Sequence, residues 1–85
     1  MTRVLIVDDE ALVRAGLRMI LQSAADLEIV GEIGDGADAV TAVRALRPDV
    51  VLMDIRMPRL DGLAATAAVR ALDDPPEVVV LTTFD

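Results

Sequence analysis

Three short aliphatic runs divide the chain: Val4-Leu5-Ile6-Val7, Val50-Val51-Leu52-Met53 and Val78-Val79-Val80-Leu81. Runs this short and this apolar, bounded by breakers, read as strands buried on both faces. The segments between them carry helical spacing, and strand–helix alternation folds as parallel strands joined by right-handed crossovers. Each run also stops at a reactive residue: Asp8-Asp9, Asp54 and Thr82-Thr83. The carboxyl ends of strands in an open parallel sheet form the ligand crevice. The pattern therefore gathers three carboxylates and a hydroxyl at one end of one sheet. That set suits a divalent cation and a phosphoryl group.

Between the runs the elements follow from spacing and punctuation. Strand one is expected over Arg3 to Asp8, and helix one from Glu10 to about Ala24, with Leu12, Val13, Gly16, Leu17, Ile20 and Leu21 on its apolar stripe. Asp9 is the expected N-cap, with Glu10 at the positive helix start. Strand two spans Leu27 to Ile33, and its Glu28 and Glu32 mark it as an edge strand. Gly34-Asp35-Gly36 is a turn, and helix two runs from Ala37 to Arg47 with Ala39, Val40, Val43 and Leu46 inward, stopped by Pro48. Strand three is Asp49 to Asp54, followed by a loop over Met57 to Gly62. Helix three is expected from Leu63 to about Asp73 with Leu63, Ala67, Ala68, Ala71 and Leu72 inward. Pro75-Pro76 ends it, and strand four is Glu77 to Thr82.

Composition narrows the function. The chain of 85 residues allows one small domain, with an aliphatic and Ala-rich core and Phe84 as its one aromatic residue. Eight Arg against fifteen acids leave a net charge of −7, which argues against a nucleic-acid surface on this segment and is compatible with a cation site. Cys and His are absent, which removes disulfides, thiolate or imidazole metal sites and His acid–base chemistry. Lys is absent as well. No signal-peptide pattern precedes the first strand, and no stretch reaches the roughly 18–20 apolar residues of a membrane span, so a cytoplasmic, membrane-free location is the expectation.

The acidic residues then define a site. Asp8 and Asp9 reach the crevice together only where the strand is ending, because neighbours in extended chain point to opposite sides. Carboxylates gathered from two strand ends repel unless a cation or donor is present, and Mg²⁺ is commonly held by one or two carboxylates with waters and phosphate. Asp54 is the candidate nucleophile on phosphorus, and Thr82 the candidate hydrogen-bond donor to a phosphoryl oxygen. Each piece alone has a plainer reading, as a helix cap, a turn or an ordinary strand end. The constellation is what favours chemistry. Gly34-x-Gly36 follows the second strand and lacks a third Gly and a Lys, so it reads as a turn and not a phosphate loop.

Val7-Asp8-Asp9-Glu10, Met53-Asp54-Ile55-Arg56-Met57-Pro58-Arg59-Leu60-Asp61-Gly62 and Leu81-Thr82-Thr83-Phe84 resemble the receiver domain of bacterial response regulators, in the two-component NarL/LuxR-type branch. The resemblance covers the whole chain. It implies a flavodoxin-like α/β doubly wound parallel sheet, present here as β1-α1-β2-α2-β3-α3-β4 in strand order 2-1-3-4. It implies Asp54 as phosphoacceptor from a sensor histidine kinase, Asp9 as direct Mg²⁺ ligand and Asp8 as the acid acting through metal-bound water. It also implies Mg²⁺ ligation by Asp54 and by the backbone carbonyl of Arg56, a phosphoryl contact from Thr82, site access governed by Thr83, and loop-shaping roles for Pro58 and Gly62. Helix one, with Arg14 and Arg18 a turn apart, is the implied kinase-facing surface. The only chemistry implied is self-phosphorylation and dephosphorylation, so the chain is not expected to be a turnover enzyme.

The departures are a missing Lys, which the family places at the end of a fifth strand, and the absence of that strand's aromatic residue and its flanking helices. Residues 1–85 are thus expected to be the N-terminal part of a receiver, truncated after the fourth strand, with no output domain in this chain. Transcription control and DNA binding are implied only for a full-length relative. Two other readings stand beside this one. An aspartyl-nucleophile phosphatase or phosphotransferase is disfavoured because Asp8 and Asp9 are adjacent and not spaced as Asp-x-Asp. A non-phosphorylated interaction module without independent activity is favoured by the missing Lys. A sheet edge open beside strand four invites a homodimer or domain-swapped oligomer.

Overall fold

In the computed structural model, residues 1–55 and 62–81 are described. Strands β1 (Thr2–Val7), β2 (Leu27–Ile33), β3 (Val50–Asp54) and β4 (Glu77–Leu81) form one parallel sheet in the order β2-β1-β3-β4. Helices α1 (Ala11–Gln22), α2 (Ala39–Leu46) and α3 (Gly62–Arg70) connect them. The doubly wound arrangement and strand order expected from the sequence are present, and β2 lies at an edge as its two Glu residues implied. The chain steps outward from β1 to β2, then back past β1 to β3 and on to β4. With right-handed crossovers, that reversal puts α1 on one face and α2 and α3 on the other.

Alternation along the strands feeds both faces. Leu5, Val7, Val51 and Met53 are fully buried and pack with Ala39 and Val43 of α2 and Ala65 and Val69 of α3. Val40, Leu46, Leu72 and Val78 border this cluster. Val4 and Ile6 are buried on the opposite side, where α1 packs against β1 and β2. On the edge strand, a Cβ at Gly31 would lie 2.7 Å from Leu46 Cδ1, so the Leu46 side chain of α2 packs directly over this glycine. The β1–β2 register shifts between Val4 and Leu5, which pair with Ile29 and Gly31.

Several expected boundaries and helix faces differ. The start of helix two is a 3₁₀ turn, Gly36–Asp38, capped by Asp35, whose Oδ1 accepts from the Ala37 amide at 2.8 Å. α2 ends at Arg47, which adopts a left-handed conformation (φ 49°) just before Pro48, the residue whose ring disfavours helical geometry in its predecessor. Asp9 does not cap α1: Glu10 is the N-cap residue, and Asp8 Oδ1 accepts its amide at 2.9 Å.

α1 turns Val13, Leu17 and Leu21 inward, while Leu12 and Ile20 of the expected stripe are 85% and 68% exposed. This helix is apolar around most of its circumference. Its rotation is set by Arg14 and Arg18, which pair with Glu32 of β2. α3 is similarly mis-phased in the sequence reading. Gly62, Ala65 and Val69 face the core, and Leu63, Ala67, Ala68 and Ala71 are exposed.

Thr66 Oγ1 on α3 is buried and has no hydrogen-bond partner among the described residues. A buried hydroxyl without a partner carries a desolvation cost that an isosteric methyl does not. Thr66→Val is expected to stabilise the fold by about 1 kcal/mol, seen as a higher urea midpoint with an unchanged m-value.

Candidate functional site

β1 and β3 are neighbours in register, with Val7 opposite Met53. The next residue on each strand is therefore an aspartate facing an aspartate. Asp8 keeps strand geometry one residue further, its amide donating to Ile33 O at 3.1 Å. Asp54 is the last residue of β3 and pairs with Leu81 on β4. Carboxylate oxygens of Asp8, Asp9 and Asp54 all lie within 4.8 Å of one another. Asp8 and Asp54 are buried, at 4% and 6% exposure, whereas Asp9 is exposed. The carboxylates expected to meet from strands one and three are thus brought together. Arg56, Pro58, Thr82 and Thr83 lie outside the described residues.

Electrostatics follows from this crowding. Burial pushes the Asp8 carboxyl above its usual range, the Glu10 amide pulls it back, and the charges of Asp54, Asp9 and Glu10 add to the upward push. A cation among these oxygens would answer both the burial and the repulsion. The donor set is all oxygen and anionic, open on the Asp9 side, and fits a hard divalent ion such as Mg²⁺ better than a softer metal. Such an ion would supply charge neutralisation at a phosphoryl group and would order its oxygens.

The main chain behind Asp54 is closely packed. The Gly62 amide donates to Ile55 O at 3.1 Å. A Cβ at Gly62 would lie 2.1 Å from Asp54 O and 2.4 Å from Ile55 Cα, both backbone atoms. α3 therefore begins against the peptide that carries Asp54, and no residue larger than Gly fits there. This contact fixes the phase of α3, and an apolar-stripe argument had no means of finding it. The loop that Gly62 is expected to shape lies outside the described residues; what is seen is its close approach to the Asp54–Ile55 backbone.

Arg14 and Arg18 both make contacts within the chain. Arg14 Nη1 donates to the Asp8 carbonyl at 2.6 Å, Arg14 Nε lies 3.6 Å from Glu32, and Arg18 Nε donates to the same carboxylate. A concavity lies elsewhere, near the opposite end of the sheet between the ends of α2 and α3, lined by Arg44, Arg47, Asp49 and Asp74 among others. Nothing in it gathers the chemistry of the strand-end carboxylates.

Two outcomes are expected. Gly62→Ala should destabilise the protein by at least about 3 kcal/mol in chemical unfolding, because backbone must move to admit the methyl. Asp8→Asn should stabilise the metal-free protein at neutral pH, since Asn keeps an acceptor for the Glu10 amide without the charge. The sign follows from linkage. A carboxyl whose folded pKa is raised binds its proton more tightly in the folded state, so its stabilising contribution is complete below the unfolded value of 3.8 and is lost as pH rises through the folded value. The advantage of Asp8→Asn over the parent should therefore shrink toward zero as pH falls below that range, in urea titrations with chelator.

Comparison with known proteins bears on what this site is. The family described as response regulator receiver domain matches residues 4–85. The transcriptional regulatory protein BtsR of Salmonella typhi is 49% identical over 88 residues, a match that takes in 100% of this chain and 35% of that protein. LiaR of Bacillus subtilis, also a transcriptional regulatory protein, is 45% identical over 85 residues, covering 99% of this chain and 40% of its own length. The chain thus spans well under half of these curated relatives. Among solved structures, the signal receiver domain of the putative response regulator NarL from Mycobacterium tuberculosis superposes with a TM-score of 0.90 at 39% identity, over 99% of this chain and 68% of that one. The chain belongs to the response regulator receiver domain family, and the proteins it resembles include transcriptional regulatory proteins and the receiver of a NarL response regulator.

Proposed function

We propose that this chain is the phosphoacceptor segment of a two-component receiver. Asp54 takes a phosphoryl group from the phosphohistidine of a sensor histidine kinase, with Mg²⁺ held by Asp8, Asp9, Asp54 and the Arg56 carbonyl. The observation that carries this reading is the meeting of three carboxylates within 4.8 Å at the ends of two adjacent parallel strands. An Asp54 carboxylate oxygen attacks phosphorus, the N–P bond to the kinase imidazole breaks, and the product is an acyl phosphate. Asp8 and Asp9 supply the anionic side of the pocket, Thr82 donates to a phosphoryl oxygen, and Thr83 governs access.

Phosphorylation then regulates an output module in the longer protein, and for a relative of BtsR and LiaR that output is transcription. The chain's chemistry is confined to gain and loss of its own phosphoryl group. It acts in the cytoplasm, where its kinase presents the donor, and no described helix is long and apolar enough to cross a membrane.

Intact mass after incubation with acetyl phosphate and Mg²⁺ tests the proposal. A single phosphoryl adduct is expected on the parent and none on Asp54→Asn, with chelator abolishing the parent's adduct. An adduct that survives in Asp54→Asn would remove the assignment.

A further inference from the structure

Asp9 is the exposed member of the acidic cluster, and no hydrogen bond or ion pair holds its side chain among the described residues. Asp8, by contrast, is buried and tied to the Glu10 amide. The direction in which Asp9 projects is therefore set mainly by the peptide that joins it to Asp8. That peptide is planar, so the orientation of the Asp8 carbonyl fixes the position of the Asp9 amide and Cα.

The Asp8 carbonyl points at Arg14. Arg14 Nη1 donates to it at 2.6 Å, reaching back from the second turn of α1 to the end of β1. The guanidinium is itself aimed. Its Nε faces Glu32 Oε1 at 3.6 Å, and Glu32 is anchored from its other oxygen by Arg18. Gly34 leaves room for it: a Cβ there would lie 3.2 Å from Arg14 Nη1 and 3.9 Å from the Asp8 carbonyl oxygen. The cation is half-buried, with its side chain 21% exposed. A rigid fork with divergent donors can span a carboxylate and a carbonyl at once, which a lysine ammonium cannot do in the same geometry.

We infer that Arg14 is a positioning residue for the cation site, holding the Asp8–Asp9 peptide so that Asp9 is aimed at the ion before the ion arrives. Glu32 and Arg18 act behind it, by fixing the guanidinium. The inference rests on the reading of Asp8, Asp9 and Asp54 as a Mg²⁺ site. It assigns Arg14 a task inside the protein.

Coulomb's law and positioning predict opposite signs. Arg14 is a positive charge beside a site for a divalent cation, so removing it should tighten Mg²⁺ binding if charge alone matters. If Arg14 presets Asp9, its removal should weaken binding, as loss of an outer-shell partner of a metal ligand does.

The experiment is calorimetric titration of chelator-treated protein with Mg²⁺ at fixed ionic strength, alongside urea unfolding in chelator. Parent, Arg14→Ala, Arg14→Lys, Arg18→Ala and Asp9→Asn are compared. Arg14→Ala is expected to weaken Mg²⁺ binding about tenfold. Arg14→Lys, which keeps the charge and loses the fork, should also weaken it. Arg18→Ala should change it least, although it disturbs the same ion-pair cluster. Mg²⁺ affinity that is unchanged or tighter in both Arg14 variants overturns the inference. So does an affinity that merely tracks the unfolding midpoint across Arg14→Ala and Arg18→Ala. Should Arg14→Ala not fold, Arg14→Lys decides alone. Parent protein that takes up no Mg²⁺, or an Asp9→Asn that binds as tightly as the parent, removes the site reading and this inference with it. Weakening in Asp9→Asn but not in the Arg14 variants removes the inference alone.

Discussion

Mutual repulsion among Asp8, Asp9 and Asp54 is the constraint around which the fold is arranged. Their oxygens lie within 4.8 Å of one another, and two of the three side chains are buried. A pair of like charges at about 4 Å costs about 1 kcal/mol in water and about 4 kcal/mol at the effective dielectric of a protein surface. Nothing local favours such a grouping. The central strand pair imposes it. β1 and β3 lie side by side in the sheet, and Leu5, Val7, Val51 and Met53 are fully buried immediately before the acids. Aliphatic burial contributes roughly 1.5–3 kcal/mol for each large side chain, and four such side chains on adjacent strands hold the acidic ends together against their charge.

The helices take their rotation from this same end of the sheet. α1 is apolar on several sides, and its phase is set by Arg14 on the Asp8 carbonyl and by both arginines on Glu32. α3 is nearly all Ala, Leu and Val, and its phase is set by the place where Gly62 touches the Asp54 peptide. In both cases a contact beside the acidic residues, and not the apolar stripe, decides which residues face inward. The outward surfaces follow as a consequence: Leu12, Met19 and Ile20 on α1 and Leu63 on α3 are exposed because the opposite sides were claimed first.

This explains which features could be read from the sequence. Strands were legible because Val-rich runs between breakers have few alternatives, and β2 was placed with its observed bounds, Leu27–Ile33. The meeting of Asp8, Asp9 and Asp54 followed from alternation and from the rule that parallel strands present one common end, whereas the order of strands came from the family resemblance alone. The stripe of α2 was legible because Arg44 and Arg47 interrupt it with polar positions. The face of α3 was not, since a helix made mostly of Ala, Leu and Val gives periodicity little to phase on; α1 does carry a polar stripe at Arg14, Arg18 and Gln22, but its two arginines pair with Glu32 of the edge strand. The N-cap was misplaced by a residue because capping chemistry favours aspartate, whereas α1 starts after Glu10, whose own side chain makes no capping bond. Only the backbone decides that Asp8 accepts the Glu10 amide. The crowding at Gly62 was beyond any sequence signal, because it lies between atoms of two backbones.

Burial and repulsion at the site also link its ligand to its fold. In the unfolded chain Asp54 is remote in sequence from Asp8 and Asp9, and each carboxylate is solvated on its own. Only the folded sheet forms a pocket, and only there is Asp8 pushed above its ordinary range. A cation that binds the folded form alone stabilises it by an amount set by its concentration over its dissociation constant. The relief of the carboxylate repulsion is part of that same free energy, so it is realised on binding and cannot be counted again as fold stability. On the proposed reading, a phosphoryl group on Asp54 adds negative charge beside carboxylates that already repel one another. Asp8 is buried and tied to Glu10, and the peptide behind Asp54 is pressed against Gly62, so neither has room to retreat. Asp9 is the exposed member, so solvent reaches its carboxylate as the charge changes, while the Asp8 carbonyl behind it stays hydrogen-bonded to Arg14.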